Sequence, residues 1–234
     1  MPGQLEEIRD QLNPWQFNAL IFCGSVDEDI AFLESLELDI PIVMSSNARS
    51  NTLSSVSVDN VDVGKRALQE LMSRGYRRLG IINQARRTMG SGIRHFAFWS
   101  EALSKGADVR TEWCVNVDSS DFPGTFEQIR QVLSQDEHPD AFFVTSNTSS
   151  LNAVIAVNSW KNRTGKDCAL MLCGVDEKLN VLASNAAFMD FGLGKFAAAS
   201  VRLVWLLMSG ELKAPIKWMI APEVDATGLL PMDS

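Results

Sequence analysis

One stretch constrains this chain more than any other: residues 56–103, VSVDNVDVGKRALQELMSRGYRRLGIINQARRTMGSGIRHFAFWSEAL. It opens on a short apolar run closing at Asp59-Asn60, continues as a helical pattern, and stops at Gly75. A buried strand is expected over residues 79–82. A polar, glycine-bearing loop follows over residues 83–92, and then a second helix opening around Arg94. Strand, helix, strand, loop and helix in this order form the repeating unit of a parallel α/β sheet. In such sheets small molecules sit beyond the carboxyl ends of the strands. The loop after Ile82 is such a place, and Arg94 stands where a helix would present it to the crevice.

The rest of the chain agrees with that class. Its 234 residues are 46% apolar, enough for one large or two small domains with real cores, and too apolar for a disordered chain. The formal net charge of −8 argues against a phosphate-tracking surface in this chain itself. No apolar run nears the ~20 residues needed to span a bilayer. Residues 1–13 lack the basic start and apolar core of a signal peptide, so a cytoplasmic location, away from membranes, is expected. Cys23, Cys114 and Cys173 sit in or beside apolar runs, and the four cysteines read as buried, unpaired thiols of a reducing compartment. Cys168 and Cys173 are spaced C-x4-C with no partner pair and no nearby histidine, which does not describe a zinc site. No metal or cofactor is expected.

Taken in order, residues 5–12 carry a helical period that Asn13-Pro14 stops. Residues 17–23 are a nearly continuous apolar run, read as a strand buried on both faces. Ser25 can cap a helix reaching Leu36, with Asp27, Glu28 and Asp29 in its first turn, where the dipole favours acids. Strands are expected at 41–44, 113–117, 141–144, 168–173 and 216–220, and helices at 125–133, 151–160 and 194–208. Residues 145–150 (TSNTSS) form a hydroxyl and amide run at a strand's carboxyl end, and residues 187–191 read as a short link. The alternation predicts a doubly wound α/β protein.

The pieces in their order resemble the effector-binding core of the lactose-repressor/galactose-repressor family of bacterial transcription regulators. The resemblance rests on residues 18–24 (NALIFCG), Pro41-Ile42-Val43, Val58-Asp59-Asn60, Gly64, Ala67 and Leu71, and on Gly75-Tyr76-Arg77-Arg78-Leu79-Gly80-Ile81-Ile82. It continues with Arg94 and Phe98, Asp140-Ala141-Phe142-Phe143-Val144, and Gly174-Val175-Asp176-Glu177. It implies two parallel-sheet subdomains of the periplasmic-binding-protein type I fold, joined by three crossing segments near Val58-Asp59, residues 187–191 and Ala221-Pro222. The first subdomain would comprise residues 1–58 plus 188–220 and the second residues 59–187 plus 221–234. It also implies a small effector, a sugar or related metabolite, in a cleft, a homodimer, and DNA binding through an amino-terminal helix-turn-helix reader. Neither that reader nor the core's first strand, helix and second strand is found ahead of Leu5. The strand at residues 17–23 is therefore expected to present an open edge and an uncovered apolar face, either in a truncated product or against a partner subunit.

The resemblance nominates site residues, each with an ordinary alternative. Arg94 matches the family's effector-binding arginine, whose fork suits vicinal hydroxyls or a carboxylate; otherwise it is a surface arginine at a helix start. Asp176, in the G-x-D-[DE] turn, would accept from sugar hydroxyls, or it caps a helix. Ser146 and Asn147 stand where the family shows Asn-Asp, and turn chemistry is their alternative. Phe122 matches an aromatic over the ligand, or is a core phenylalanine. Thr88 and Gly90 line the loop after Ile82, and Asp190 and Phe191 lie on a crossing segment.

Residues 192–197 (GLGKFA) fit G-x-G-x-x-A, but the dinucleotide fingerprint also needs a preceding strand and an acid ~20 residues on, which this context lacks. G-x-S-x-G, H-E-x-x-H and P-loop motifs are absent, and His95 and His138 have no evident partners. Three functions are open: the effector-sensing module of a repressor, the solute-binding protein of a sugar transporter, and an enzyme on the same kind of fold with no visible catalytic set. The first is the expectation.

Overall fold

The computed structural model describes residues 5–12, 16–23, 27–36, 38–46, 50–85, 88–118, 121–175 and 177–232. In chain order a 3-10 helix at Leu5–Gln11 precedes β1 (Leu20–Cys23), α1 (Asp27–Ser35), β2 (Ile42–Ser45), β3 (Ser54–Val58), α2 (Asn60–Ser73) and β4 (Arg78–Gln84). Next come α3 (Met89–Ser104), β5 (Asp108–Val117), α4 (Phe122–Leu133), β6 (Ala141–Val144), a 3-10 turn at Asn147–Ser149, α5 (Ser150–Thr164) and β7 (Ala169–Cys173). The chain closes with α6 (Glu177–Leu182), β8 (Ala186–Asp190), α7 (Leu193–Met208), β9 (Lys217–Ile220) and β10 (Glu223–Asp225). It forms two compact units, Met1–Asp59 with Gly192–Ala221, and Asn60–Phe191 with Pro222–Ser234.

In the first unit β1, β2, β3 and β9 form a parallel sheet in that order. Successive side chains take opposite faces. Leu20, Phe22, Ile42 and Met44 pack with Ile30 and Leu33 of α1, and Val43 and Val56 with Leu203 of α7. The run at 17–23 is not buried on both faces: its strand is four residues long and alternates in exposure, with Ile21 40% exposed. It stands at the sheet's edge, with β2 as its neighbour in the sheet. For the same reason Cys23 is exposed, against the expectation of a buried thiol; Cys114 is half-buried, and Cys168 and Cys173 are buried and free. The residues 5–12 period yields a 3-10 helix with a break at Ile8 rather than a regular α-helix. The Ser25 cap lies outside the described residues.

The second unit carries a six-stranded sheet in the order β10-β8-β7-β6-β4-β5, parallel except for β10. β6 and β7 are buried along their whole length, as central strands covered on both faces must be. Residues 187–191, read as a link, instead contribute β8, buried from Ala186 to Met189. The run is apolar but short and alanine-rich, a pattern that periodicity alone leaves ambiguous. β5 starts at Asp108, ahead of the expected 113, and meets β4 with an irregular register between Leu79 and Ile81. Gly80 fits where a Cβ would lie 2.4 Å from the Phe142 ring. Val63, Ala67 and Leu71 form the buried stripe of α2, and at Gly64 its backbone lies against α3: a Cβ there would sit 2.7 Å from the Arg94 carbonyl oxygen and 2.8 Å from Phe98 N.

Candidate functional site

Five chain segments meet around Arg94 at the carboxyl ends of the second unit's strands. α3 begins at Met89, five residues before Arg94, so Arg94 lies in its second turn and not at its opening. Thr88 is the reason: it caps the helix, its hydroxyl oxygen accepting from Ser91 N at 3.3 Å, which satisfies an amide that the helix start leaves free. Thr88, which is exposed, and Gly90, which is buried, are thus the cap and first turn of α3.

The Arg94 side chain is held on several sides. Its Nε donates to Asn60 Oδ1 and its Nη1 donates to the Thr145 carbonyl at 2.8 Å. Its guanidinium lies 4.4 Å from the centroid of the Phe191 ring, a cation–π contact. Cys173, at the end of β7, is close enough that Arg94 opposes its pKa shift: burial pushes the thiol up to about 11, against the pull of the neighbouring cation. Asn60 starts α2, Thr145 follows β6, and Phe191 follows β8. A guanidinium offers five N–H groups; with Asn60 and Thr145 bonded and the Cys173 sulfur within reach, donors remain over among the described residues.

Beneath Arg94 lies a second polar layer. Asn83, fully buried near the end of β4, accepts the Thr145 hydroxyl at 3.2 Å and lies 3.1 Å from His95 Nδ1. His95, expected to lack partners, also stacks on Trp99 at 6.0 Å between centroids. His138 likewise packs edge-on to Trp160 at 5.0 Å. Asn83 Nδ2 and Ser149 Oγ are buried and meet no hydrogen-bond partner among the described residues. Unsatisfied groups of this kind are rare and expensive; Asn83 lies near the end of β4 and Ser149 in the turn after the adjacent β6.

The other nominated residues divide. Asn147 is exposed and lies over Gly174, whose Cβ would approach the Asn147 Cβ to 3.0 Å, so the turns after β6 and β7 touch. Ser146 is half-buried, 3.0 Å from the Thr148 hydroxyl. Asp190 ends β8, half-buried and in register with Glu223. Phe122 opens α4 beyond β5 at 37% exposure. Asp176 lies outside the described residues. Asn60, Thr145, Asn83 and Cys173 were not nominated, since each reaches the site through long-range pairing that local pattern does not encode.

A family model described as periplasmic binding proteins and sugar binding domain of LacI family matches residues 2–168. The HTH-type transcriptional repressor PurR of Serratia proteamaculans (strain 568) is 28% identical over 155 residues, covering 65% of this chain and 45% of the repressor. The chain thus spans about half the length of the curated relatives it matches. Among solved structures, a regulatory protein of the LacI family from Chloroflexus aggregans superposes with a TM-score of 0.80 at 15% identity, over 96% of this chain and 82% of that one. A periplasmic binding protein/LacI transcriptional regulator from Alkaliphilus metalliredigens QYMF, complexed with D-xylulofuranose, gives 0.74 at 16% identity over 95% and 81%. At such identities the structures establish the fold: two parallel-sheet units of periplasmic-binding-protein type.

Proposed function

Since the chain belongs to the family of periplasmic binding proteins and LacI-type sugar-binding domains, we propose that it is the effector-sensing part of a repressor-type transcription regulator. It takes a small polyhydroxylated ligand, a sugar or related metabolite, at the carboxyl ends of β4, β6 and β7. The carrying observation is Arg94, oriented by Asn60, Thr145 and Phe191, with fork donors left over among the described residues. A preoriented guanidinium of this kind recognises vicinal hydroxyls or a carboxylate. Asn147, Ser146, Asp190, Phe122 and Asp176 complete the reading as ligand contacts. The repressor relatives support a regulator over a transporter component and binding over catalysis.

Ligand binding would modulate DNA contact made by a helix-turn-helix reader outside the two units. A homodimer is part of this reading. Leu151 and Ile155 are exposed one turn apart on α5, beside the exposed Val181 and Leu182 of α6. Asn158, the next residue down that α5 face, donates to the Leu182 carbonyl at 2.8 Å and so links the two helices.

Calorimetric titration with ribose, xylulose and cellobiose tests the site. Arg94→Ala removes a charge-assisted hydrogen bond worth about 1.5–3 kcal/mol, so one to two decades of affinity should be lost. A sugar that binds the native chain and the variant equally would place the ligand elsewhere.

A further inference from the structure

Five arginines are half-buried among the described residues: Arg74, Arg78, Arg94, Arg110 and Arg130. Four of them have carboxylate partners: Arg74 has Glu70, Arg78 has Asp140, Arg110 has Asp108 and Glu137, and Arg130 has Glu127. Arg94 has none among the described residues. Its contacts are the Asn60 and Thr145 oxygens, the Phe191 ring and the Cys173 sulfur. All of these are uncharged, since burial holds the Cys173 pKa up at about 11 and keeps it a thiol at neutral pH. A charge withdrawn from water is costly unless an opposite charge meets it, and no described residue supplies that charge here.

The neighbouring backbone carries the same sign. Arg94 Nη1 bonds the Thr145 carbonyl, two residues ahead of a helical run that starts at Asn147 and continues through α5 to Thr164. No side chain caps that start: the Ser146 hydroxyl pairs with Thr148 Oγ1 at 3.0 Å instead. Asn147 and Thr148 are exposed, and their amides donate to none of the described residues, as first-turn amides do until a group outside the helix meets them. β4 lies against this turn. At its end the fully buried Asn83 commits Oδ1 to the Thr145 hydroxyl and His95, so the end without a partner is Nδ2, a donor. Described acids at these strand ends are already engaged: Asp118 and Asp190 have partners, and Asp121 accepts from Gly124 N at 2.9 Å.

Arg94, the helix start and Asn83 thus hold positive charge and N–H donors in reserve. A neutral hydroxyl would bring a further hydrogen to that set. A carboxylate brings acceptors only, and takes a guanidinium in a two-bond fork. Charge then selects among anions. One guanidinium and a helix start worth roughly +0.5 balance a single negative charge, and fall short of the roughly −2 of a phosphate monoester, in a chain already at −8. Resting on the effector-sensing reading above, we propose that the effector is a sugar acid, its carboxylate held by the Arg94 fork and the Asn147 and Thr148 amides.

The test titrates matched pairs into the purified chain by calorimetry: glucuronate with glucose, galacturonate with galactose, and ribonate with ribose. At least one acid is expected to bind, roughly 10- to 100-fold more tightly than its parent sugar, the scale of a hydrogen bond to a charged group. Arg94→Gln, which keeps donors without the charge, should bring that acid down to the level of its parent. The acid's affinity should also fall between ~20 and ~500 mM salt while the parent's does not, a readout on the native chain that stands even if Arg94→Gln does not fold. A parent sugar that binds as tightly as its acid, with Arg94→Ala abolishing both, overturns the sugar-acid proposal and leaves the effector site standing. An acid indifferent to both Arg94→Gln and salt overturns the site as well. Absence of binding by all three acids at ~10 mM overturns the proposal, whatever the neutral sugars do.

Discussion

Two glycine-to-alanine changes, 28 residues apart, should move stability in opposite directions. Both sit in helices, where alanine is favoured over glycine by about 0.8–1.0 kcal/mol. At Gly92 in α3 a new Cβ meets nothing within 4 Å, so Gly92→Ala should stabilise by roughly 0.5–1 kcal/mol. At Gly64 the Cβ would lie 2.7 Å from the Arg94 carbonyl oxygen, 2.8 Å from Ala97 Cβ and 2.8 Å from Phe98 N. Carbon contacts prefer about 3.5–4.0 Å, so α2 and α3 must part by roughly 1 Å. Two of the three obstructing atoms are backbone and cannot rotate away. Overpacking of this kind costs about 1–3 kcal/mol. Net of the propensity gain, Gly64→Ala should destabilise by up to about 2 kcal/mol. Since α3 carries Arg94, it should also weaken the sugar binding proposed there. Urea unfolding of both variants and the native chain, read from midpoints at constant slope, supplies the measurement. If Gly64→Ala unfolds at or above the native midpoint, the close approach that positions α3 is wrong.

Asp140 is buried and accepts from Arg78 N at 3.1 Å and Arg78 Nε at 2.9 Å. Asp140→Ala should cost about 1–3 kcal/mol in the same assay, screening at the partly exposed Arg78 keeping it at that level. In the native state at pH 8 a disulfide reagent should modify Cys23 readily, and Cys168 and Cys173 only at the rate of unfolding. Burial raises the Cys173 thiol pKa from 9.0 to about 11. Its contribution to stability is therefore full below the unfolded pKa and is lost as pH rises through that window. Denaturation midpoints measured from pH 8 to 11 should fall less steeply in Cys173→Ala. Finally, the purified chain should give no salt-sensitive retardation of duplex DNA, since its net charge of −8 opposes phosphate contact.

The alternation of apolar runs with helical periods was enough, by itself, to determine an α/β class with parallel sheets, because burial imposes period 2 or a continuous run on strands and 3.6 on helices wherever the chain is. The central strands at 79–82, 141–144 and 168–173 were legible for that reason. The placement of Arg94 on the helix beyond β4 was legible from the strand–loop–helix order. β8 was not, since four apolar residues, two of them alanine, followed by Asp190 say as little about strand as about link. The exposure of β1 depended on which strand stands beside it, and neighbours in a sheet are not neighbours in sequence. Only the tertiary structure decided what surrounds Arg94. Asn60 lies 34 residues before it and Thr145 51 after it, and the contacts that orient the guanidinium form only when separate strand ends are brought to the same side of the sheet. Sequence states which groups a segment carries, whereas hydrogen bonds and cation–π contacts act over a few ångströms and depend on where the packed core places those segments.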